Sequence, residues 1–165
     1  DTSEKLPSHI SDVVYELSIA ISAPELESKI SEYNPYDING KIEYNNLVKY
    51  KDLVLDYGSY GSIIDTIYDT LDSYKPNVKR KFLLYINLKY KSALGELLKQ
   101  NEGIVKQNVI NQHADSLMDH IVDDLRNVYT KTKKDHPIPT EDLEICLHII
   151  ICKAFIDCKI LEAPK

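Results

Sequence analysis

The sequence predicts an all-α fold, a helical bundle of about six helices, on three observations. Gly (5) and Pro (7) are scarce for 165 residues, whereas all-β domains need many tight turns. Apolar side chains make up 43% of the chain, which is enough for a core. They recur at spacings of three and four residues, which is the helical period. Because this length fits one domain, we expect residues 1–165 to form a single helical domain.

The first elements are short. A helix is predicted over Pro7–Ile21, with Pro7 in its first turn. A second short element is expected from Pro24 to about Tyr33. Asn34–Gly40 (NPYDING) is rich in residues that favour turns and is predicted to be a loop.

Two further helices follow in the first half. Apolar residues and tyrosines form a helical stripe over Lys41–Tyr57, and Gly58 is expected to end that helix. Ser62 and Asp65 resemble an N-terminal capping pair for the next helix, which should stop before Pro76.

The strongest helical signal lies in the middle of the chain. Two apolar stripes are separated by the short turn Asn101–Gly103. We therefore expect a long central antiparallel hairpin of two helices of about 25–30 residues each. The apolar positions include Val78, Phe82, Ile86, Ala93 and Leu97 before the turn, and Ile110, Ala114, Leu117, Ile121 and Leu125 after it.

The last helix is predicted to begin near Thr140, a good N-cap. Leu143–Leu161 is apolar nearly all round, which predicts a buried C-terminal helix. Its interspersed charges would be too costly in a bilayer, so we expect no membrane segment. The three cysteines all lie in this stretch, at 146, 152 and 158. An odd number of cysteines in an apolar segment favours buried thiols in a reducing cytoplasm over disulfides.

Two patterns could hold a metal ion. His148 and Cys152 are four residues apart on one predicted helix, but a zinc site normally needs a second such pair, so a buried core pair is the simpler interpretation. Carboxylates crowded on one helix can bind Mg²⁺, although a solvated acidic face is more common. The residues of that cluster are Asp115, Asp119, His120, Asp123 and Asp124.

Catalytic and cofactor motifs are missing from the sequence. The glycines form neither a phosphate-binding loop nor a dinucleotide fingerprint, and no serine lies in a G-x-S-x-G turn. We therefore expect no catalytic residue, no cofactor and no metal.

The charge is unevenly distributed and suggests an interaction surface. The chain carries −6 overall, yet residues 61–110 carry +3. An antiparallel hairpin would place two basic clusters at one end, forming a basic pole that suits phosphates or an acidic protein. The pole comprises Lys75, Lys79, Arg80, Lys81, Arg126, Lys131, Lys133 and Lys134. Tyrosines are frequent at interfaces and could add to a docking surface, although core packing explains most of them. They are Tyr33, Tyr36, Tyr44, Tyr50, Tyr57, Tyr60, Tyr68 and Tyr74.

Two stretches resemble a known family. The first runs from Lys41 through Ser92 and includes KIEYNNLVKYKDLVLDY (41–57) and IYDTLDSYKPNVKRKFLLYI (67–86), and the second is PIPTEDLEICLHIIICKAFIDCKILEAP (137–164). Together they resemble the C-terminal domain of effector proteins in bacterial ABC three-component, Lamassu-type antiphage defence systems. The resemblance consists of helix-packing patterns and transfers no named functional residue.

The resemblance implies an expected role. Such systems pair an effector, often a nuclease, with an SMC-like ATPase and usually a small middle component. The chain would be the C-terminal part of a longer protein, a non-catalytic domain that docks the effector onto these partners in the cytoplasm. Nucleic acid would be reached through the complex. Two alternatives are a DNA-binding helical module that uses the basic pole, and a metal-dependent nuclease that uses Asp115, Asp119 and Asp123.

Overall fold

The computed structural model describes residues 5–29 and 35–165, and within them every regular element is a helix. Among these residues six helices have ten residues or more and two are shorter, which agrees with the predicted all-α bundle, although the helix Pro35–Tyr44 was not among the predicted helices. A 3₁₀ turn, Gly58–Tyr60, joins the fourth helix to the fifth. The helices are α1 (His9–Ser22), α2 (Leu26–Lys29), α3 (Pro35–Tyr44), α4 (Lys51–Tyr57), α5 (Gly61–Asp72), α6 (Val78–Gln100), α7 (Lys106–Lys131) and α8 (Thr140–Ile156).

The predicted hairpin and the buried last helix are both confirmed. The long helices α6 and α7 pack against each other along their lengths, and the turn between them contains Gly103 at φ +83°. The helix α8 packs on α1, α4, α5 and α7. Most of its side chains are buried, namely Cys146, Leu147, Ile149, Ile150, Ile151, Cys152, Ala154 and Phe155. The centre of the core is therefore α8, with the other helices arranged around it.

The prediction of a loop at residues 34–40 is wrong, because residues 35–44 form the helix α3. Ile38 and Ile42 lie one helical turn apart and both are buried in the core. Burial of this pair outweighs the weak local preference of Asn, Asp and Gly for turns. The short element predicted from Pro24 to about Tyr33 corresponds to α2, Leu26–Lys29, and residues 30–34 lie outside the described residues.

The prediction of a single helix over residues 41–57 is also wrong, because the helical conformation is interrupted between α3 and α4. Asn46 adopts φ +55°, a left-handed conformation that Asn tolerates better than most residues. The amide of Leu47 then donates to the carbonyl of Ile42 at 3.0 Å, which completes a Schellman-type C-cap. Apolar spacing continues through this break, so periodicity alone did not reveal it.

Three predicted helix starts are shifted by a residue or two. Helix α1 begins at His9, and the Oγ of Ser8 accepts from the amide of Ile10 at 3.2 Å, so Pro7 precedes the helix. Ser62 is the second residue of α5 and not its cap, because the backbone is already helical at Tyr60. Thr140 is the first residue of α8, one position after the N-cap.

The chain after α8 is held against the bundle by polar contacts that the sequence did not predict. Ile160 and Leu161 are buried, and Leu161 has a positive φ of +57°. Asn45, in the connection between α3 and α4, is fully buried and hydrogen-bonds both backbone groups of Glu162. The hydroxyl of Tyr90 on α6 donates to the Glu162 carboxylate at 2.9 Å. This C-terminal segment therefore connects α3 to α6.

Candidate interaction surface on the helical hairpin

The start of α6 and the end of α7 are adjacent, as an antiparallel hairpin requires. Lys81 and Phe82 of α6 and Val128 of α7 line one groove of about 490 Å³. Pro7 lines this groove and also a second one, of about 740 Å³, that includes Lys133. The N-terminal segment 5–8 therefore lies between the basic residues of α6 and those that follow α7.

Two of the predicted pole residues are bound to carboxylates. The ammonium of Lys75 lies 2.8 Å from Asp12 of α1, and this hydrogen bond raises the pKa of Lys75. Arg126 donates to both carboxylate oxygens of Glu144 on α8, at 2.6 and 2.8 Å, and to Asp123 at 2.6 Å. The bond from Arg126 lowers the pKa of Glu144 below its usual value. Lys75 therefore joins the connection between α5 and α6 to α1, Arg126 joins α7 to α8, and the charge of both bases is locally neutralised.

Lys134 also has an internal role. Its ammonium donates to the carbonyls of Tyr129 and Thr132, at 2.8 and 3.1 Å, and so satisfies the end of α7. It also lies 4.7 Å from the centre of the Tyr129 ring. Partial burial, and to a smaller degree the charge of Lys5, lower the pKa of Lys134. A base in this position complements the negative end of the helix dipole.

The remaining pole residues lie at the surface. Lys79 is partly covered, with its ammonium 6.0 Å from the centre of the Tyr68 ring. The others are exposed, and within residues 5–29 and 35–165 no carboxylate forms an ion pair with them. They are Arg80 and Lys81 on α6, Lys131 at the end of α7, and Lys133. The charge available to a partner is therefore concentrated at the start of α6 and just after α7.

The outer face of α6 adds two apolar side chains that the predicted surface did not include. Leu84 is 59% exposed and Leu88 is 58% exposed, one helical turn apart. They lie on the same face as Arg80 and Lys91, opposite the buried stripe of α6. A signal was present in the sequence, because two leucines at i and i+4 fall outside the predicted core stripe.

The acidic cluster on α7 is used to hold the bundle together. The carboxylate of Asp115 accepts from the backbone amides of Val48 and Tyr50, at 3.1 and 3.2 Å, and so joins α7 to the residues just before α4. Asp119 accepts from the ammonium of Lys49 at 2.8 Å and from the hydroxyl of Tyr50 at 2.5 Å. Burial alone would raise the pKa of Asp119, but these two hydrogen bonds outweigh it and the pKa is lowered.

The other members of that cluster point in different directions. Asp123 binds Arg126, whereas Asp124 accepts from the hydroxyl of Tyr85 at 2.6 Å. His120 lines an apolar groove of about 410 Å³ between α6 and α7. Within the part of the chain that the structure describes, no group of three or more His, Cys, Asp or Glu side chains is placed to hold a metal ion.

Of the His148 and Cys152 pair, Cys152 lies in the core and His148 is half-buried. The Nδ1 of His148 is 2.7 Å from the carbonyl of Glu144, and its ring stacks on Tyr50 with centres 6.3 Å apart. Cys152 is fully buried, and burial raises the pKa of its thiol to about 12. The buried cysteine agrees with the simpler sequence interpretation of a core pair, whereas the histidine is only half-buried.

Most of the tyrosines of the described residues pack inside the domain. Tyr50 and Tyr68 are buried, and Tyr57 and Tyr60 pack edge to face with ring centres 5.8 Å apart. Tyr74 is 61% exposed. Tyr44 is half-buried, while Tyr33 and the side chain of Tyr36 lie outside the described residues. The tyrosines therefore contribute little to the surface described above.

Comparison with known proteins identifies one family. The C-terminal domain 10 of the ABC-three component (ABC-3C) systems matches residues 16–162, which is most of the chain. No curated protein and no solved structure matches it. Among the described residues, no helix combines the length and apolar character needed to cross a bilayer.

Proposed function

Because the chain belongs to the C-terminal domain 10 family of the ABC-three component systems, we propose that it is a non-catalytic docking domain of a bacterial antiphage defence effector. In this proposal the domain attaches the effector to an SMC-like ATPase and a small middle component. It also restrains the effector until phage DNA is sensed. Membership of a multi-component system supports the existence of protein partners.

The observation that carries the proposal is a set of exposed bases without an internal role. Arg80 and Lys81 lie in the first turns of α6, where the positive end of the helix dipole disfavours cations. They are exposed, whereas Lys75 and Arg126 nearby are bound to carboxylates. In a chain of net charge −6, such a local positive surface is suited to an acidic partner.

The proposal that the domain is non-catalytic rests on the contacts that the clustered carboxylates of α7 make within the fold. Asp115 binds the backbone amide of Val48 just before α4, and Asp119 binds Lys49 and Tyr50. Releasing these carboxylates to bind a metal would leave polar groups of the fold without their partners. A nuclease site built on them would therefore compete with the contacts between α7 and α4.

The experiment is co-purification from cells that co-express the other components of the system, with an affinity tag on this chain. The variant is Arg80→Glu combined with Lys81→Glu. We expect recovery of the ATPase component to fall by about tenfold or more, because complementary charges become like charges. The fold should not be weakened, since acids in the first turns of α6 complement the helix dipole.

The matched control is Lys51→Glu, an exposed base in the first turn of α4 that lies away from the hairpin end. It should leave recovery unchanged. Equal recovery with wild type, the double variant and the control would contradict the assignment of the surface. Recovery of DNA instead of protein, with steep loss on added salt, would favour the alternative DNA-binding function.

A further inference from the structure

The outer face of α6 is a continuous ridge built from five residues. Arg80, Leu84, Leu88, Lys91 and Gly95 follow one another at spacings of four, four, three and four residues, which places them on one side of the helix. All five are exposed. The buried stripe of α6, which includes Phe82, Ile86 and Tyr90, faces the other way and supplies the core contacts.

Gly95 is the residue of this ridge that the fold explains least. It lies in the interior of a 23-residue helix, where glycine is less favourable than alanine. A Cβ at Gly95 would meet nothing within 4 Å, and its φ is not positive, so neither packing nor backbone conformation requires glycine there. Glycine on an exposed helix face does allow the backbone of a second helix to approach closely.

The charge of the ridge indicates the character of that second helix. α6 carries six bases and one acid, a formal charge of +5, in a chain whose total charge is −6. Lys89 binds Asp124 at 3.7 Å, but Arg80, Lys91 and Lys99 have no ion pair among the described residues. The phosphate backbone of a nucleic acid would pair with these bases but would leave the two exposed leucines in water. An acidic helix with an apolar stripe would pair with the bases and also cover the leucines.

The length of the ridge limits how such a helix can lie. Leu84 and Gly95 are eleven residues apart, which is about 16 Å along the axis of an α-helix. A helix that contacts both must run at a shallow angle to α6, since a steep crossing would contact only about one or two turns.

We propose that this outer face of α6 docks an acidic amphipathic α-helix of another protein component of the system. The apolar stripe of that helix covers Leu84 and Leu88, its backbone approaches α6 most closely at Gly95, and its carboxylates face Arg80 and Lys91. This inference rests on the proposed docking function and adds the face and the chemistry of the partner.

The test uses Gly95→Leu in the co-expressed system. Space is open at this position, and leucine is a better helix former than glycine, so the melting temperature of the domain should rise. Recovery of the partner should nevertheless fall by about tenfold or more, because the added side chain keeps the partner helix away. Leu84→Gln combined with Leu88→Gln should lower recovery in the same way.

The matched control is Gly40→Leu. Gly40 is also an exposed glycine in a helix, α3, and a Cβ added there would likewise meet nothing within 4 Å. This variant should raise the melting temperature and leave partner recovery at the wild-type level. The proposal would be overturned if Gly95→Leu behaved like Gly40→Leu, with a higher melting temperature and partner recovery at the wild-type level.

The two proposals fail in distinguishable ways. If Arg80→Glu with Lys81→Glu abolishes recovery while Gly95→Leu and the leucine variants retain it, docking through the bases at the start of α6 stands, and the proposal that a helix docks along Leu84, Leu88 and Gly95 is overturned. If the wild-type chain recovers no partner, both proposals fail. If nuclease treatment releases the partner from the wild-type chain, nucleic acid bridges the two and the helix-docking proposal is overturned.

Discussion

Asn45 is a buried residue whose replacement should damage the fold although it changes the side-chain volume little. It is 0% exposed, and its Nδ2 donates to the carbonyls of Lys41 and Glu162, at 2.9 and 2.8 Å. Its Oδ1 accepts from the amide of Glu162 at 3.0 Å. One side chain therefore satisfies both backbone groups of the residue that anchors the C-terminal segment.

Asn45→Ala removes these bonds and leaves the amide and carbonyl of Glu162 without their partners. An unpaired buried polar group costs about 1–3 kcal/mol, so two should lower the free energy of unfolding by about 3 kcal/mol. For a domain of this size each kcal/mol corresponds to about 2–4 °C, so the melting temperature should fall by roughly 6–12 °C. Urea denaturation followed by circular dichroism, together with a thermal melt, measures both quantities.

The control is Asn127→Ala, an exposed asparagine on α7, which should change stability by less than about 0.5 kcal/mol. A loss below about 1 kcal/mol for Asn45→Ala would refute the reasoning. In that case the C-terminal segment would be held by burial of Ile160 and Leu161 and not by the asparagine.

Two further predictions concern thiols and acid. Burial raises the pKa of Cys146 and of Cys152 to about 12, while Cys158 is exposed, so Ellman's reagent should titrate one thiol in the native protein and three in denaturant. The hydrogen bond from Arg126 lowers the pKa of Glu144 in the folded protein. The pair therefore stabilises the fold at pH values above the pKa of an unfolded glutamate, about 4.3. This contribution is lost as the pH falls through the lower pKa of the folded state. Because these side chains are 35% and 37% exposed, Glu144→Gln should cost about 1 kcal/mol or less at pH 7 and less than that at pH 2, and an equal loss at both would contradict the pairing.

The long elements were predictable because their evidence is local. The apolar residues of the hairpin recur every three or four positions over many turns, so the spacing alone indicated α6 and α7. The nearly uniform apolar character of α8 indicated a central position for the same reason. The segment 35–44 could not be predicted in this way, because its helix depends on burying Ile38 and Ile42 against other elements.

The candidate site was only partly predictable. The basic residues were visible in the sequence, but which of them are free depends on partners far along the chain. Lys75 meets Asp12, which is 63 residues away, and Arg126 meets Glu144, which is 18 residues away. The same holds for Asp115, whose bond to the amide of Val48 spans 67 residues. No spacing rule connects such pairs.

By itself, the sequence determined the helical class, the central hairpin and the buried C-terminal helix, because each follows from the period of apolar residues within one element. Only the tertiary structure decided which charges are neutralised and which face of α6 remains uncovered. Ion pairs such as Arg126 with Glu144 form when two helices are brought together, and exposure of Leu84 and Leu88 depends on what packs beside them. Both are properties of the packed arrangement, which local spacing does not encode.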